Sequence, residues 1–164
     1  MSSIFYNADE AFEMAIRIER NGEQFYAQAA GAVFAPKVRS MLERLRDMEA
    51  GHQKLFAQLR DKVKGSSGMP AVLDPEGEVG KYLRAAADSH VFHAPSGAVL
   101  GAEPTPKQIL DTAIRFEKDS IVFFLGIKDM VADPAAKDVV QGLVDEEKKH
   151  ILYILETLGP LAKA

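Results

Sequence analysis

The chain has 164 residues, 47% of them hydrophobic, which is enough for one domain with a sizeable interior. Its 20 basic and 24 acidic residues leave a net charge of −4, and no basic patch interleaved with aromatics occurs, so nucleic acid is not an expected partner. There is no cysteine, which excludes disulfides, thiolate zinc sites, iron–sulfur clusters and a thiolate-bound iron within these residues; any metal must be held by oxygen and nitrogen.

The opening residues, MSSIFYNADEAFEMAI, carry no basic stretch followed by an apolar run. No later segment approaches the roughly 18 uncharged apolar residues of a membrane span. The expectation is a cytoplasmic protein that does not engage a membrane.

In chain order, a first helix is expected over about 8–33. Asn7 can accept from first-turn amides while Glu10 lies three residues on, a capping-box arrangement. Pro36 opens a second helix, 36–64, which Gly65-Ser-Ser-Gly68 and Met69-Pro70 bring to an end. A crossover over 65–105 follows, too long for a hairpin turn, with a short helical piece around Glu78 to Val91 and then the Gly/Pro-rich HAPSGAVLGAEP. Thr105 as cap and Pro106 at the first helical position start a third helix, 106–132. Asp133-Pro134 repeats that device for a fourth, 134–158, which Gly159-Pro160 ends. The expected fold is all-α: a four-helix bundle made of two similar helix pairs, each helix about 38 Å long, joined by one long crossover.

The two halves repeat. AIRIERNGEQFY (Ala15 to Tyr26) aligns without a gap on AIRFEKDSIVFF (Ala113 to Phe124), placing Glu19 on Glu117. Glu49-Ala-Gly-His52 follows Glu19 by thirty residues, and Glu147-Lys-Lys-His150 follows Glu117 by the same interval. Each glutamate has apolar residues three, four or seven positions away, which places it on the helix face turned to the core. Phe12, Ala15 and Tyr26 flank Glu19; Leu42, Leu45 and Phe56 flank Glu49. Leu110, Ala113 and Phe124 flank Glu117, and Val140, Leu143 and Ile154 flank Glu147.

Burying one ionised carboxylate costs several kcal/mol, and four at one level also repel one another. Two divalent cations would balance Glu19, Glu49, Glu117 and Glu147, with the neutral imidazoles of His52 and His150 completing one ligand set per metal. A glutamate from each of two helices plus Glu-x-x-His from each of the other two is the ligand pattern of di-iron carboxylate bundles.

On these residues the chain resembles the ferritin-like superfamily, and within it the rubrerythrin-related proteins that lack a rubredoxin domain. The resemblance spans all four helices, about residues 8–158. It implies two iron ions held by Glu19, Glu49, His52, Glu117, Glu147 and His150. Manganese or zinc would also suit such a donor set. It further implies reduction of peroxide, or of dioxygen, coupled to ferrous oxidation, with electrons from a separate donor protein. Tyr26, two turns from Glu19, is the candidate catalytic side chain near the metals; its alternative is an aromatic core residue with an edge-reaching hydroxyl. Rubrerythrins typically carry a further glutamate one turn after the third-helix ligand, where this chain has Ser120, so a more symmetric six-ligand site is expected. The long crossover and the self-similar halves suggest a homodimer, with helix pairs exchanged through Met69 to Glu103.

Other functions remain open to the same residues. One is iron binding or storage without turnover, and another is a structural or partner-binding bundle that metal merely locks. The plainest alternative for both Glu-x-x-His motifs is a solvated helix face. Glu23 lies one turn beyond Glu19, but its counterpart in the repeat is Ile121, which favours a role behind the ligands or at the surface. His90 and His93 have the spacing of a second metal pair, although such spacing is ordinary at a helix end. Glu43, Asp47 and Glu146 are expected on the outer faces.

Overall fold

A computed structural model of the protein describes residues 8–65, 78–87, 100 and 103–161. Within them run five helices: α1 (Ala8–Ala32), α2 (Pro36–Gly65), α3 (Glu78–Ala87), α4 (Pro106–Met130) and α5 (Pro134–Leu161). No strand occurs among the described residues. Helix α1 packs along α2 and α4 along α5; the two pairs meet where α1 touches α4 and α2 touches α5, while α3 lies on α4. The result is the expected four-helix bundle with a short crossover helix on its flank.

The turns within each pair are short and specified by their own residues. Arg39 at the start of α2 donates from Nε and Nη2 to the Val33 carbonyl (3.1 and 2.7 Å), satisfying an acceptor left free at the end of α1. Thr105 caps α4: its hydroxyl accepts from the Gln108 amide (3.2 Å) and its own amide donates to the Gln108 side chain (2.9 Å). Asp133 caps α5 by accepting from the Ala135 amide at 3.2 Å. Asn7, the expected cap of α1, lies outside the described residues, as do the expected helical residues 88–91 and most of the segment proposed for exchange between chains.

Two boundaries move by more than one residue. Helix α4 stops at Met130 because Val131 is already extended (φ −73°, ψ 129°), although its amide still bonds to the Ile127 carbonyl. Helix α5 runs through Pro160 to Leu161 rather than stopping at Gly159. A proline removes one amide donor and crowds the carbonyl four residues before it; one residue from the helix end, that disturbance is confined to the last turn.

The interior forms two apolar clusters. One is built around Phe12, Phe56, Phe123, Phe124, Val140 and Leu83. The other is built around Phe25, Tyr26, Leu42, Leu110, Phe116 and Ile154. Every one of the four long helices crosses from one cluster to the other, and the residues at the crossing are polar: Glu19, Glu49 with His52, Glu117 with Ser120, and Glu147 with His150, all buried. The bundle therefore contains a belt of buried ionisable side chains between two apolar layers.

Helix α3 closes one flank of the first cluster through Leu83, which is fully buried. It can come this close because residue 126 of α4 is glycine; a Cβ there would lie 2.7 Å from Leu83 Cδ2. At the same end of the bundle, Arg60 of α2 donates to Asp9 (2.6 Å) and Glu13 (3.0 Å) of α1, and Lys64 approaches Asp9 at 2.9 Å. Hydrogen bonding to Arg60 holds the Asp9 carboxyl at about 2.

Candidate metal centre

Each helix contributes to the belt at the register its apolar stripe dictates. Glu19 on α1 and Glu117 on α4 stand alone; α2 presents Glu49 and His52 one turn apart, and α5 presents Glu147 and His150 in the same way. The two imidazoles lie nearly parallel, 9° between planes and 5.4 Å between centroids. The structure thus brings all six side chains together, and a single chain supplies them.

They form two overlapping groups. Glu19, Glu49, His52 and Glu147 make one; Glu49, Glu117, Glu147 and His150 make the other, with the ligand atoms of each within 4.8 Å of one another. Nδ1 of His52 lies 3.6 Å from Glu19, 3.9 Å from Glu49 Oε2 and 2.8 Å from Glu147 Oε1. Nδ1 of His150 lies 3.5 Å from Glu49 Oε1, 3.4 Å from Glu117 and 3.1 Å from Glu147 Oε2. Glu49 and Glu147 therefore turn one oxygen toward each group. Sequence spacing assigns one imidazole to each ligand set; the structure adds that the two Glu-x-x-His glutamates are common to both sets, because they lie on the facing helices α2 and α5.

These close approaches are not hydrogen bonds. Glu19 Oε1, both Glu147 oxygens, His52 Nδ1 and both His150 nitrogens are buried without a hydrogen-bond partner. Buried polar atoms are normally paired, and leaving one unpaired costs about 1–3 kcal/mol, more for charged groups. So many at one spot, all hard oxygen or imidazole donors, is the condition two cations would relieve.

Protonation follows from the same crowding. Burial first, with repulsion from Glu147 added, raises the carboxyls of Glu19, Glu49 and Glu117 well above the ordinary range. Burial also opposes ionisation of Glu147, but the close Glu117 carboxyl and the two imidazoles outweigh it and depress that group. His52 and His150 are raised against their own burial, His52 by Glu147 and His150 by Glu117, Glu147 and Glu49. Without cations Glu19, Glu49 and Glu117 favour their protonated forms, and Glu147 is the most readily ionised carboxyl of the belt.

The neighbours fall as follows. Tyr26 is fully buried and its hydroxyl donates to Glu117 Oε1; burial, reinforced by the Glu117 charge, raises it well above the usual phenol range. Its counterpart in the second half is Phe124, so the two groups differ in this one hydrogen bond. Ser120 is 8% exposed, on the buried side of α4. Glu23 accepts from Gln53 at 2.7 Å, behind the ligands at the α1–α2 contact. Glu43 and Asp47 are exposed, and Glu146 points outward to Lys149 at 2.6 Å. His90 and His93 lie outside the described residues.

One residue escaped the sequence patterns. Gly22, one turn after Glu19, lies against Glu49; a Cβ there would be 3.3 Å from Glu49 Cδ. Its only signal in the sequence is a helix-weakening glycine inside an otherwise regular helix, aligned in the repeat with the small Ser120.

Comparison with known proteins agrees with this geometry. A structure assigned to the ferritin-like diiron-carboxylate proteins, from Thermotoga maritima, superposes with a TM-score of 0.65 at 26% identity, over 93% of this chain and 94% of that one. No curated protein matches. None of the helices among the described residues is long and apolar enough to cross a membrane. The rubrerythrin family model matches residues 10–158, spanning the four long helices and every residue of the buried belt. The family and the glutamate–histidine belt together suggest a dinuclear iron site, and the chain belongs to the rubrerythrin family.

Proposed function

We propose that the protein is a non-haem di-iron oxidoreductase that reduces peroxide, or dioxygen, with electrons delivered by a separate donor protein. The observation that carries this is the pair of overlapping buried ligand groups that share Glu49 and Glu147. Glu19 and His52 would serve one ion, Glu117 and His150 the other, and the two shared carboxylates both. A bound iron pair supplies two electrons at one place, which is what cleavage of an O–O bond requires.

The chain's own residues supply the rest. The apolar clusters on either side of the belt limit water at the site. The four carboxylates balance two divalent charges. The Tyr26 hydroxyl, held by Glu117, is placed to orient that carboxylate and to keep a proton beside it. Manganese or zinc would fit the same donors, since ligand hardness alone does not favour iron over them.

The test is an anaerobic ferrous titration followed by rapid mixing with each oxidant. Two ions per chain with fast oxidation by peroxide supports the proposal. Two ions with slow or absent turnover would favour iron binding or storage, and undiminished stability without any metal uptake would favour a structural bundle.

Ser120 bears on which oxidant is preferred. It is buried and lies one turn from Glu117, where a carboxylate would enter the cavity and help to stabilise added positive charge on the metals. Ser120→Glu is expected to raise the ratio of peroxide to dioxygen oxidation rates several-fold. A ratio already high in the wild type and unmoved by the substitution would make the plain six-ligand set sufficient for peroxide.

A homodimer is also proposed. Apolar side chains remain open on the bundle exterior, among them Leu152 (60% exposed) and Leu155 on α5 and Val122 and Leu125 on α4. Light scattering at micromolar concentration should give twice the chain mass, and a monomer throughout would refute this.

A further inference from the structure

We infer that Gly22 is a positioning residue for Glu49, the space without which that carboxylate could not be shared between two metal ions. The inference rests on the dinuclear site proposed above. It starts from an anomaly: glycine in a helix interior is unfavourable, and Gly22 sits in the middle of α1, where no turn or left-handed backbone calls for it.

What calls for it is across the helix pair. A Cβ at position 22 would stand 3.3 Å from Glu49 Cδ and 3.4 Å from both Cγ and Oε2. Such contacts are too tight to keep, so the Glu49 side chain would have to retreat by a few tenths of an ångström. Most buried glutamates could do so. Glu49 faces both groups, with Oε1 3.5 Å from His150 and Oε2 3.9 Å from His52, so withdrawing it from position 22 shifts its place in both at once. Metal–ligand distances tolerate about 0.2 Å, less than the retreat required.

The other glycines isolate the effect. Gly31 on α1, and Gly51 within the Glu49-Ala-Gly-His52 motif itself, are exposed, and an added Cβ at either meets nothing within 4 Å. Gly51 is adjacent in sequence to the ligands and irrelevant to them; Gly22 is distant in sequence and in contact. The aligned position in the second half, Ser120, is likewise small and buried.

The experiment compares Gly22→Ala with Gly31→Ala and Gly51→Ala by ferrous and manganous titration, by electron paramagnetic resonance of the manganese-loaded protein, and by melting without metal. The wild type and both controls should bind two ions and show the spectrum of a coupled pair. Gly22→Ala should melt without metal no lower than the wild type, since alanine favours the helix. It should bind the second ion roughly 10–100-fold more weakly and lose the coupled spectrum.

Wild-type affinity and coupling in Gly22→Ala would overturn the inference while leaving the dinuclear site standing. A marked loss of metal-free stability would also overturn it, by making Gly22 a packing requirement of the fold. Failure of the wild type itself to take up two ions would instead remove the site, and the inference with it.

Discussion

Glu147→Ala is expected to abolish binding of both metal ions, whereas Glu146→Ala leaves two per chain. Glu147 offers one oxygen to each group, 2.8 Å from His52 and 3.1 Å from His150, so its loss removes a ligand from both ions and half of the shared anionic charge. It also removes the carboxylate facing two imidazoles that must remain close together, their ring centroids 5.4 Å apart. Glu117→Ala takes a ligand from one group only, together with the acceptor of the Tyr26 hydroxyl. It should disrupt the dinuclear centre with a partial remnant at the Glu19–His52 side. Glu146 is turned about 100° away around the helix. It makes an exposed contact with Lys149, of the solvent-screened kind that contributes little. Iron per chain after anaerobic loading and desalting separates the three. Equal loss of iron from Glu146→Ala would mean that α5 presents a different face to the core.

Metal should stabilise the fold, and by more as pH rises. A ligand that binds only the folded state adds about 4 kcal/mol at a thousandfold excess over its dissociation constant. For a chain of this size that corresponds to roughly 10 °C per tightly held ion. The direction with pH follows from the belt's protonation. Glu19, Glu49 and Glu117 have carboxyls raised above their unfolded values, so their contribution to the metal-free fold is present at low pH and lost as pH climbs through the raised values. His52 and His150 are raised too and act in the same direction. Glu147 is depressed, so it stays ionised between about pH 5.5 and about pH 8 and contributes no slope there. The metal-free protein therefore weakens across that window. Metal binding releases the same protons, so its affinity grows. The melting-temperature gap between loaded and metal-free protein should be wider at the alkaline end. A gap that narrows instead would show that the cations do not displace protons from these groups, and no gap at any pH would show that the belt takes up no cation.

Much of this was open to inspection in the chain itself. Apolar residues at helical intervals around Glu19, Glu49, Glu117 and Glu147 place each carboxylate on a core-facing stripe, and burial of all four bears that out. Thr105-Pro106 and Asp133-Pro134 mark helix starts because cap chemistry is local and needs no tertiary partner. The internal repeat supplies the pairing of halves. It says nothing of Gly22, because a glycine's purpose depends on which side chain lies across from it, and Glu49 is brought there only by the packing of α2 on α1.

The amino-acid order alone thus determined the helices, their inward faces and the six side chains at matching depth, since a residue's face and its rise along a helix are functions of sequence position. Only the tertiary structure decided that Glu49 and Glu147 are common to both ligand groups, that the belt lies between two apolar clusters, and that Tyr26 holds Glu117. Those relations depend on which helices face one another and at what separation, and that is set by the fit of side chains such as Phe25, Phe56, Phe116 and Phe124 across the core rather than by the spacing of residues along any one helix.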